Sequence, residues 1–259
     1  SPPPRESVVA GLPNVGSAYS GESQWNRINR LNTLLELRLA ANETYLDLTS
    51  RNAHYFYLNR SPAMPVTAPY NLTPPTQQRR AVDALLVSSP KLALLQADNI
   101  VHDGGGLALR NPYLYRFVMD NYVPRMESGF IVGYLKSEVK SATGVEIAAE
   151  IKNITDENWL YGLGRRDSSV VLSDPVLASM LRAGDKVRLA NGEIRVIEKV
   201  WTEGSAIWLD GGLMTPTDIS SGNIIDLIVP PDVYQEYAAS LFHRAFAVSD
   251  FQKIPVSWG

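Results

Sequence analysis

Apolar residues recur at every third or fourth position between residues 25 and 39. Trp25, Ile28, Leu31, Leu35 and Leu39 follow this spacing, and charged side chains lie between them. A helix of 3.6 residues per turn places such positions on one face. The pattern therefore predicts an amphipathic helix of about four turns, whose apolar stripe must be covered by a sheet or by another helix.

Shorter apolar runs in the first half alternate with helical patterns. Strands are predicted at residues 45–48, 92–95 and 129–135, and helices at residues 51–58, from 74 to about 88 and at 112–122. Five prolines between residues 61 and 75 predict a long surface loop. The order of strand, helix, helix, strand, helix and strand predicts a small parallel, Rossmann-like α/β layer with right-handed crossovers. Within it, the continuous run Leu92–Leu95 predicts a strand buried on both faces.

After about residue 145 the pattern changes to short strands separated by turns. Asn191-Gly192, between two alternating runs, is the clearest hairpin signal. This half predicts a compact antiparallel β-domain, a barrel or a sandwich, and a C-terminal helix from Asp232 to about Val248. The predicted strands are Val145–Ile151, Val170–Leu172, Lys186–Leu189, Ile194–Val200, Ala206–Leu209 and Ile224–Val229.

These patterns divide the chain into three parts. Residues 1–21 are rich in Pro, Gly and Ser and indicate a linker or lead-in. Residues 22–140 are predicted to form the α/β domain, and residues 141–259 the β-rich domain with the C-terminal helix.

Composition excludes several classes of function. There is no cysteine, which rules out disulfides and thiolate chemistry, and only three histidines, which are far apart in sequence. We therefore expect no metal and no other cofactor. A net charge of −3 without a basic stripe argues against nucleic acid as a partner. No run approaches the roughly 20 apolar residues of a membrane helix, so this region is expected to be soluble.

Polar residues follow the first two predicted strands, where an α/β sheet places its ligands. If these strands are neighbours, one ligand-binding rim results, for a sugar or a cation. The alternative is that the same side chains cap helices and pair within turns. His54 lies among aromatic residues and is interpreted as a packing residue. The rim residues are Asp47, Thr49, Asp98, Asn99, His102 and Asp103.

Tryptophan is concentrated in the second half, at Trp159, Trp201, Trp208 and Trp258. A tryptophan on a β-domain can stack on a sugar ring, or it can fill the core. Trp208 is the predicted ligand-binding residue among them, and core packing is the alternative.

The segment Glu43–Leu58 resembles the region that follows the last membrane helix of polytopic bacterial GT-C-type glycosyltransferases, the protein-mannosyltransferase-like group. Tyr55–Leu58, the 61–75 loop, Leu92–Leu95 and Pro112–Tyr122 follow the order of elements in that family, over roughly residues 22–136. The β-rich half looks like a module appended to carbohydrate proteins of the bacterial envelope. The family's catalytic acidic residue lies on a loop between membrane helices, so the resemblance implies no catalytic residue in this chain.

The resemblance implies a periplasmic region of an inner-membrane protein that acts in cell-envelope glycan assembly. It would be a cap or a module that binds a glycan, an acceptor or a lipid-linked sugar, with the membrane-embedded part of the same polypeptide as its partner. Two alternatives stay open. One is a free-standing hydrolase that uses Asp47, Asp98, His102 and Asp103, and the other is a structural envelope protein that recruits partners.

Overall fold

The computed structural model describes residues 22–51, 53–95, 107–139, 145–155, 158–160, 165–211, 219 and 223–246. These residues form two compact units. The first takes the described residues up to Pro124, Phe130–Val139 and the described residues from Phe242 on. The second takes Arg125–Gly129 and the described residues between Lys140 and Leu241.

Helices and strands alternate in the first half, and strands dominate the second. The helices are α1 (Glu22–Arg38), α2 (Ala53–Tyr57), α3 (Pro75–Ser88), α4 (Leu107–Arg110), α5 (Pro112–Asn121), α6 (Pro175–Met180) and α7 (Pro231–Phe246), with 3-10 turns at Pro69–Asn71 and Lys136–Glu138. The strands are β1 (Leu46–Asp47), β2 (Leu92–Leu94), β3 (Tyr122–Glu127), β4 (Phe130–Leu135), β5 (Val145–Ile154), β6 (Asn158–Leu160), β7 (Arg165–Asp167), β8 (Val170–Leu172), β9 (Lys186–Arg188), β10 (Ile194–Trp201), β11 (Ala206–Leu209) and β12 (Ile224–Val229).

A four-stranded mixed sheet in the order β1-β2-β4-β3 is the framework of the first unit. Strands β1 and β2 are parallel, with Asp47 opposite Leu94, whereas β2 and β4 are antiparallel, with Leu94 opposite Val132. As predicted, α1 is amphipathic and β2 is an inner strand whose residues are fully buried. The core that joins the helix to the sheet contains Trp25, Ile28, Leu31, Leu34, Leu35, Leu39, Leu92, Leu94, Phe130 and Val132.

The predicted fold class, a Rossmann-like parallel layer followed by a compact antiparallel β-domain, is wrong. For the mixed sheet the cause is a hairpin between β3 and β4. Helix α5 leads directly into β3, and only two residues lie between the end of β3 and the start of β4 at Phe130, so no helical crossover separates β3 from β4. The sequence did not predict β3, because Pro124 lies within it and proline is disfavoured in strands. In the structure β3 is an edge strand, where proline is tolerated.

A two-residue turn then reverses the chain into β4. Ser128 and Gly129 both have positive φ, 52° and 76°. That combination characterises the tight turns that match the twist of antiparallel strands. The chain thus returns beside itself, and β4 meets β2 antiparallel.

In the second unit six strands close into an antiparallel barrel in the order β10-β11-β8-β5-β12-β9, and β9 pairs with β10 to complete it. Closure leaves no edge strand within this barrel. Alternate residues point inward and form its core. The buried set includes Ile147, Ile151, Val170, Leu172, Val187, Ile197, Ile207, Leu209, Ile225 and Leu227. Strands β6 and β7 form a separate two-stranded sheet.

Two irregularities in the barrel change which side chains face outward. The β10–β11 register shifts between Ile197 and Lys199, and the β5–β8 register shifts between Ile151 and Asn153. An extra residue in one strand reverses the alternation beyond it. Lys199 and Asn153 therefore lie on the outer face, although each is two residues from an inward-facing isoleucine.

Among the helices in the described parts of the chain, none has both the length and the apolar character needed to cross a membrane.

Candidate functional site

Asp47 lies at the carboxyl end of β1, at the centre of a buried hydrogen-bond network. Its Oδ1 accepts hydrogen bonds from the Thr49 amide, at 2.8 Å, and from the Thr49 hydroxyl, at 2.5 Å. Its Oδ2 accepts from the Tyr45 hydroxyl at 3.1 Å and lies 2.7 Å from His54 Nδ1. Because an ionised carboxylate can only accept, Nδ1 carries the proton in this contact.

Local sequence explains how the network forms. An aspartate readily accepts a hydrogen bond from the amide two residues later, which turns the chain sharply after β1. The turn leads into α2, which brings His54 and Tyr55 back over Asp47. The Asp47 amide donates to the Tyr55 hydroxyl oxygen at 3.0 Å, and that hydroxyl donates to the Tyr45 carbonyl at 3.0 Å.

This network is satisfied internally and shielded from water. Asp47 is only 1% exposed, and Thr49 and His54 are buried as well. Burial, together with the nearby Asp47 charge, raises the pKa values of the Tyr45 and Tyr55 hydroxyls well above their usual range. Both hydroxyls therefore stay protonated and able to donate. The arrangement suits a scaffold better than a rim that exchanges ligands.

A different kind of surface lies on the outer face of the barrel, where β10 ends. Trp201 is 52% exposed. A Cβ atom added to Gly204 would lie only 2.3 Å from Trp201 Cε3, so one face of the indole ring rests against the backbone of this turn. The turn itself is closed by a hydrogen bond from the Ser205 amide to the Thr202 carbonyl, at 3.1 Å. The ring is thus supported from below while much of its surface contacts solvent.

The strand register places Trp201 in a row with three other residues across four strands. Trp201 is opposite Ala206, Ala206 is opposite Val171, and Val171 is opposite Asn153. Residues directly opposite in a sheet share one face, so the four side chains point outward together. At the usual strand spacing the row is about 14 Å long. It has an exposed amide at one end and an exposed aromatic ring at the other, and between them lie the partly buried Val171 and the buried Ala206.

Lys199 and Trp208 form a second row beside the first, opposite each other on β10 and β11. Lys199 Nζ lies 5.4 Å from the centroid of the Trp208 ring, within cation–π range. Trp208 is 6% exposed and packs with Ala206 and Val171. We call the exposed surface of Asn153, Lys199 and Trp201 the barrel ledge.

The predicted site residues therefore do not form a single site among the described residues. Asp47 and Thr49 meet in the buried network, and Trp208 lies buried beneath the barrel ledge. Strands β1 and β2 are parallel neighbours, as the rim required. Asp98, Asn99, His102 and Asp103 lie outside the described residues, so the convergence of the rim side chains stays a prediction. Within the described ranges, no group of histidine and carboxylate side chains is arranged to hold a metal ion.

The prediction did not select Asn153, Lys199 or Trp201 for the site, or His54 as the partner of Asp47. The His54 contact has a recognisable signal, an aspartate at a strand end followed by a histidine seven residues later on the next helix. For Trp201 the signal is the glycine three residues later, in a turn tight enough to bring the ring onto the backbone. For Asn153 and Lys199 no comparable signal exists, because the outward direction depends on the bulges.

Comparison of the chain with protein-family models, with curated proteins and with solved structures found no match. The relationship to GT-C-type glycosyltransferases accordingly stays a prediction from the residues quoted above.

Proposed function

We propose that this chain is a non-catalytic glycan-binding module and that it binds sugars on the barrel ledge. The observation that carries the proposal is the exposed Trp201 ring, held in place by Gly204. Sugar rings have apolar faces that stack on aromatic side chains and polar edges that need hydrogen-bonding groups. A ring that is already fixed loses little conformational entropy when it binds, which favours affinity.

The rest of the first row complements such a ligand. Ala206 is buried and Val171 is partly buried, so a ligand would contact the row mainly at Trp201 and at the Asn153 amide. That amide offers a donor and an acceptor to sugar hydroxyls. Its separation from Trp201, about 14 Å by strand spacing, suits an oligosaccharide better than a single sugar.

The cellular setting that we propose rests on the family resemblance. It is the periplasmic face of a bacterial inner membrane, where the module would act in cell-envelope glycan assembly as part of a GT-C-type glycosyltransferase or a related membrane protein. The membrane-embedded part of the same polypeptide would be its partner. The barrel ledge would then hold a glycan or an acceptor near that part.

A hydrolase centred on Asp47 is less favoured by the geometry. Each Asp47 carboxylate oxygen already has two donors within hydrogen-bond distance, and the carboxylate is buried. A catalytic carboxylate must reach its substrate. We therefore assign Asp47 and His54 a structural role.

The proposal is tested by calorimetric titration with neutral oligosaccharides of glucose, mannose and N-acetylglucosamine. Trp201→Ala should weaken binding of the ligand found by about tenfold or more, as expected for a central aromatic contact. Trp201→Tyr should retain most of the affinity, because it keeps an aromatic face.

Ile194→Ala is the matched control. Ile194 is 51% exposed at the opposite end of β10, so it tests the loss of a comparable exposed apolar side chain. We expect its affinity to stay within about twofold of wild type. Equal losses in the Ile194 and Trp201 variants, or binding unaffected by Trp201→Ala, would contradict the proposal.

A further inference from the structure

We infer that the barrel ledge selects acidic saccharides, and that Lys199 recognises the negative charge. This inference rests on the proposed function and names the ligand class for the same site. The chemistry is that of an anionic group, a carboxylate or a phosphate, attached to a sugar ring that stacks on Trp201.

The first observation is the position of Lys199. It lies two residues before Trp201 on the same outer face, and the aromatic contact with Trp208 holds its ammonium group. Among the described residues, its ammonium group forms no hydrogen bond and no ion pair. Lys199 is also partly buried, so its charge is less screened than that of a fully exposed lysine.

The second observation is the Trp208 indole. Its Nε1 is buried and has no hydrogen-bond partner in the described part of the chain. A buried donor without an acceptor is uncommon in folded proteins. This donor is buried beneath the ledge, so the donors that a ligand can reach are the Lys199 ammonium and the Asn153 amide. A ligand that brings acceptor oxygens complements such a surface.

Other charged groups lie close in sequence. Glu203 is exposed in the turn between Trp201 and Gly204, and Glu198 precedes Lys199 at the bulge. Glu198 already interacts with other groups. Glu203 faces water, which screens its repulsion of an anion. If the ligand is anionic, removing the Glu203 charge must strengthen binding, and this gives the inference a second test.

Three probes separate charge from stacking. Cellobiouronic acid carries a carboxylate, cellobiose is its neutral counterpart, and glucose 1-phosphate carries a phosphate. Wild-type protein should bind cellobiouronic acid more tightly than cellobiose, and the difference should shrink as salt rises. Lys199→Gln should weaken binding of the acid about three- to fivefold, the range of a partly exposed ion pair, and leave cellobiose unchanged. Glu203→Gln should strengthen binding of the acid alone.

Lys186→Gln is the matched control, because Lys186 is an exposed lysine on β9 of the same barrel, opposite Val196. It lowers the net charge equally but should leave the preference for the acid unchanged. If glucose 1-phosphate binds with the same dependence on Lys199, the anion is a phosphate, which also supports the inference.

Equal affinity for cellobiouronic acid and cellobiose, both lost in Trp201→Ala, would overturn the inference and leave the proposed function standing. An acid preference that Lys186→Gln reduces as much as Lys199→Gln would also overturn it. Failure of all three probes and of the neutral oligosaccharides to bind would overturn both.

Discussion

The Asp47 network and the barrel ledge use similar residue types in opposite ways. In the network, aromatic and polar side chains are buried and paired with one another around one carboxylate. On the ledge, an aromatic ring and two polar side chains face outward, and the ammonium group of Lys199 forms no hydrogen bond or ion pair within the described residues. Buried polar groups whose hydrogen bonds are formed within the protein suit a scaffold, whereas polar groups without such partners suit a binding surface, even when the residue types are similar.

The largest effect that we expect comes from breaking the Asp47 network. Asp47→Ala leaves the Tyr45 and Thr49 hydroxyls and His54 Nδ1 without their acceptor inside the protein. Losing one partner of a buried polar cluster costs about 3–5 kcal/mol. The free energy of unfolding, measured by urea denaturation, should fall by that amount. The ledge should still bind its ligand as long as the protein is folded.

Asp83→Ala is the control for this variant, because Asp83 is exposed on α3. Its free energy of unfolding should stay within about 0.5 kcal/mol of wild type. A similarly small change in Asp47→Ala would mean that the network does not support the fold.

Alkaline pH should lower the free energy of unfolding through buried tyrosines, an effect in which the barrel ledge takes no part. Burial raises the pKa values of Tyr45 and Tyr122 in the folded state, so folding favours their protonated hydroxyls. The stability that this protonation provides is fully present below the unfolded pKa of about 10, and it is lost as pH rises above that value. The free energy of unfolding should therefore decline above about pH 10.

Tyr45→Phe and Tyr122→Phe should each flatten this decline, because each removes one titrating group. Tyr122→Phe also loses the hydrogen bond to the Pro90 carbonyl, so its free energy of unfolding should be lower than that of wild type already at neutral pH. If the free energy of unfolding declines as steeply with pH in both variants as in wild type, these two tyrosines do not cause the decline. The Trp201→Ala variant should keep the wild-type slope.

The smallest expected effect on stability comes from displacing the ledge ring. Gly204→Ala places a methyl group where the Trp201 ring lies, so the ring must move. We expect a loss of sugar affinity that approaches the loss in Trp201→Ala, with unfolding changed by no more than about 1 kcal/mol. Thr202→Ala, exposed in the same turn, is the control. If Gly204→Ala binds sugar normally, the support of the ring by this turn does not matter for binding.

Much of the local structure could be predicted from the sequence. The spacing from Trp25 to Leu39 identified α1, the apolar run at Leu92 identified β2, and Asn191-Gly192 marked a turn where Gly192 has a φ of 87°. In each case the signal is contained in a short segment. Side-chain periodicity and glycine conformation act locally, so they are visible without the fold.

The assembly of these elements was not predictable in the same way. The direction of β4 depends on a hairpin at Ser128, where a serine takes the positive φ that usually marks glycine. The outward direction of Asn153 and Lys199 depends on bulges, which strict alternation does not reveal. By alternation both residues would face the barrel interior with Ile151 and Ile197. Pairing partners distant in sequence decide these points.

We propose that the ledge binds sugar through Trp201, and we assign the Asp47 network a structural role. The chain has five tryptophans, each with one indole N–H signal in a ¹⁵N-correlated NMR spectrum. Trp201→Ala identifies the Trp201 signal by its disappearance. On titration with the oligosaccharide that binds, we predict that this signal shifts most, and that the His54 and Thr49 amide signals stay in place. Shifts centred on the Asp47 network, with the Trp201 signal unmoved, would contradict sugar binding at the ledge.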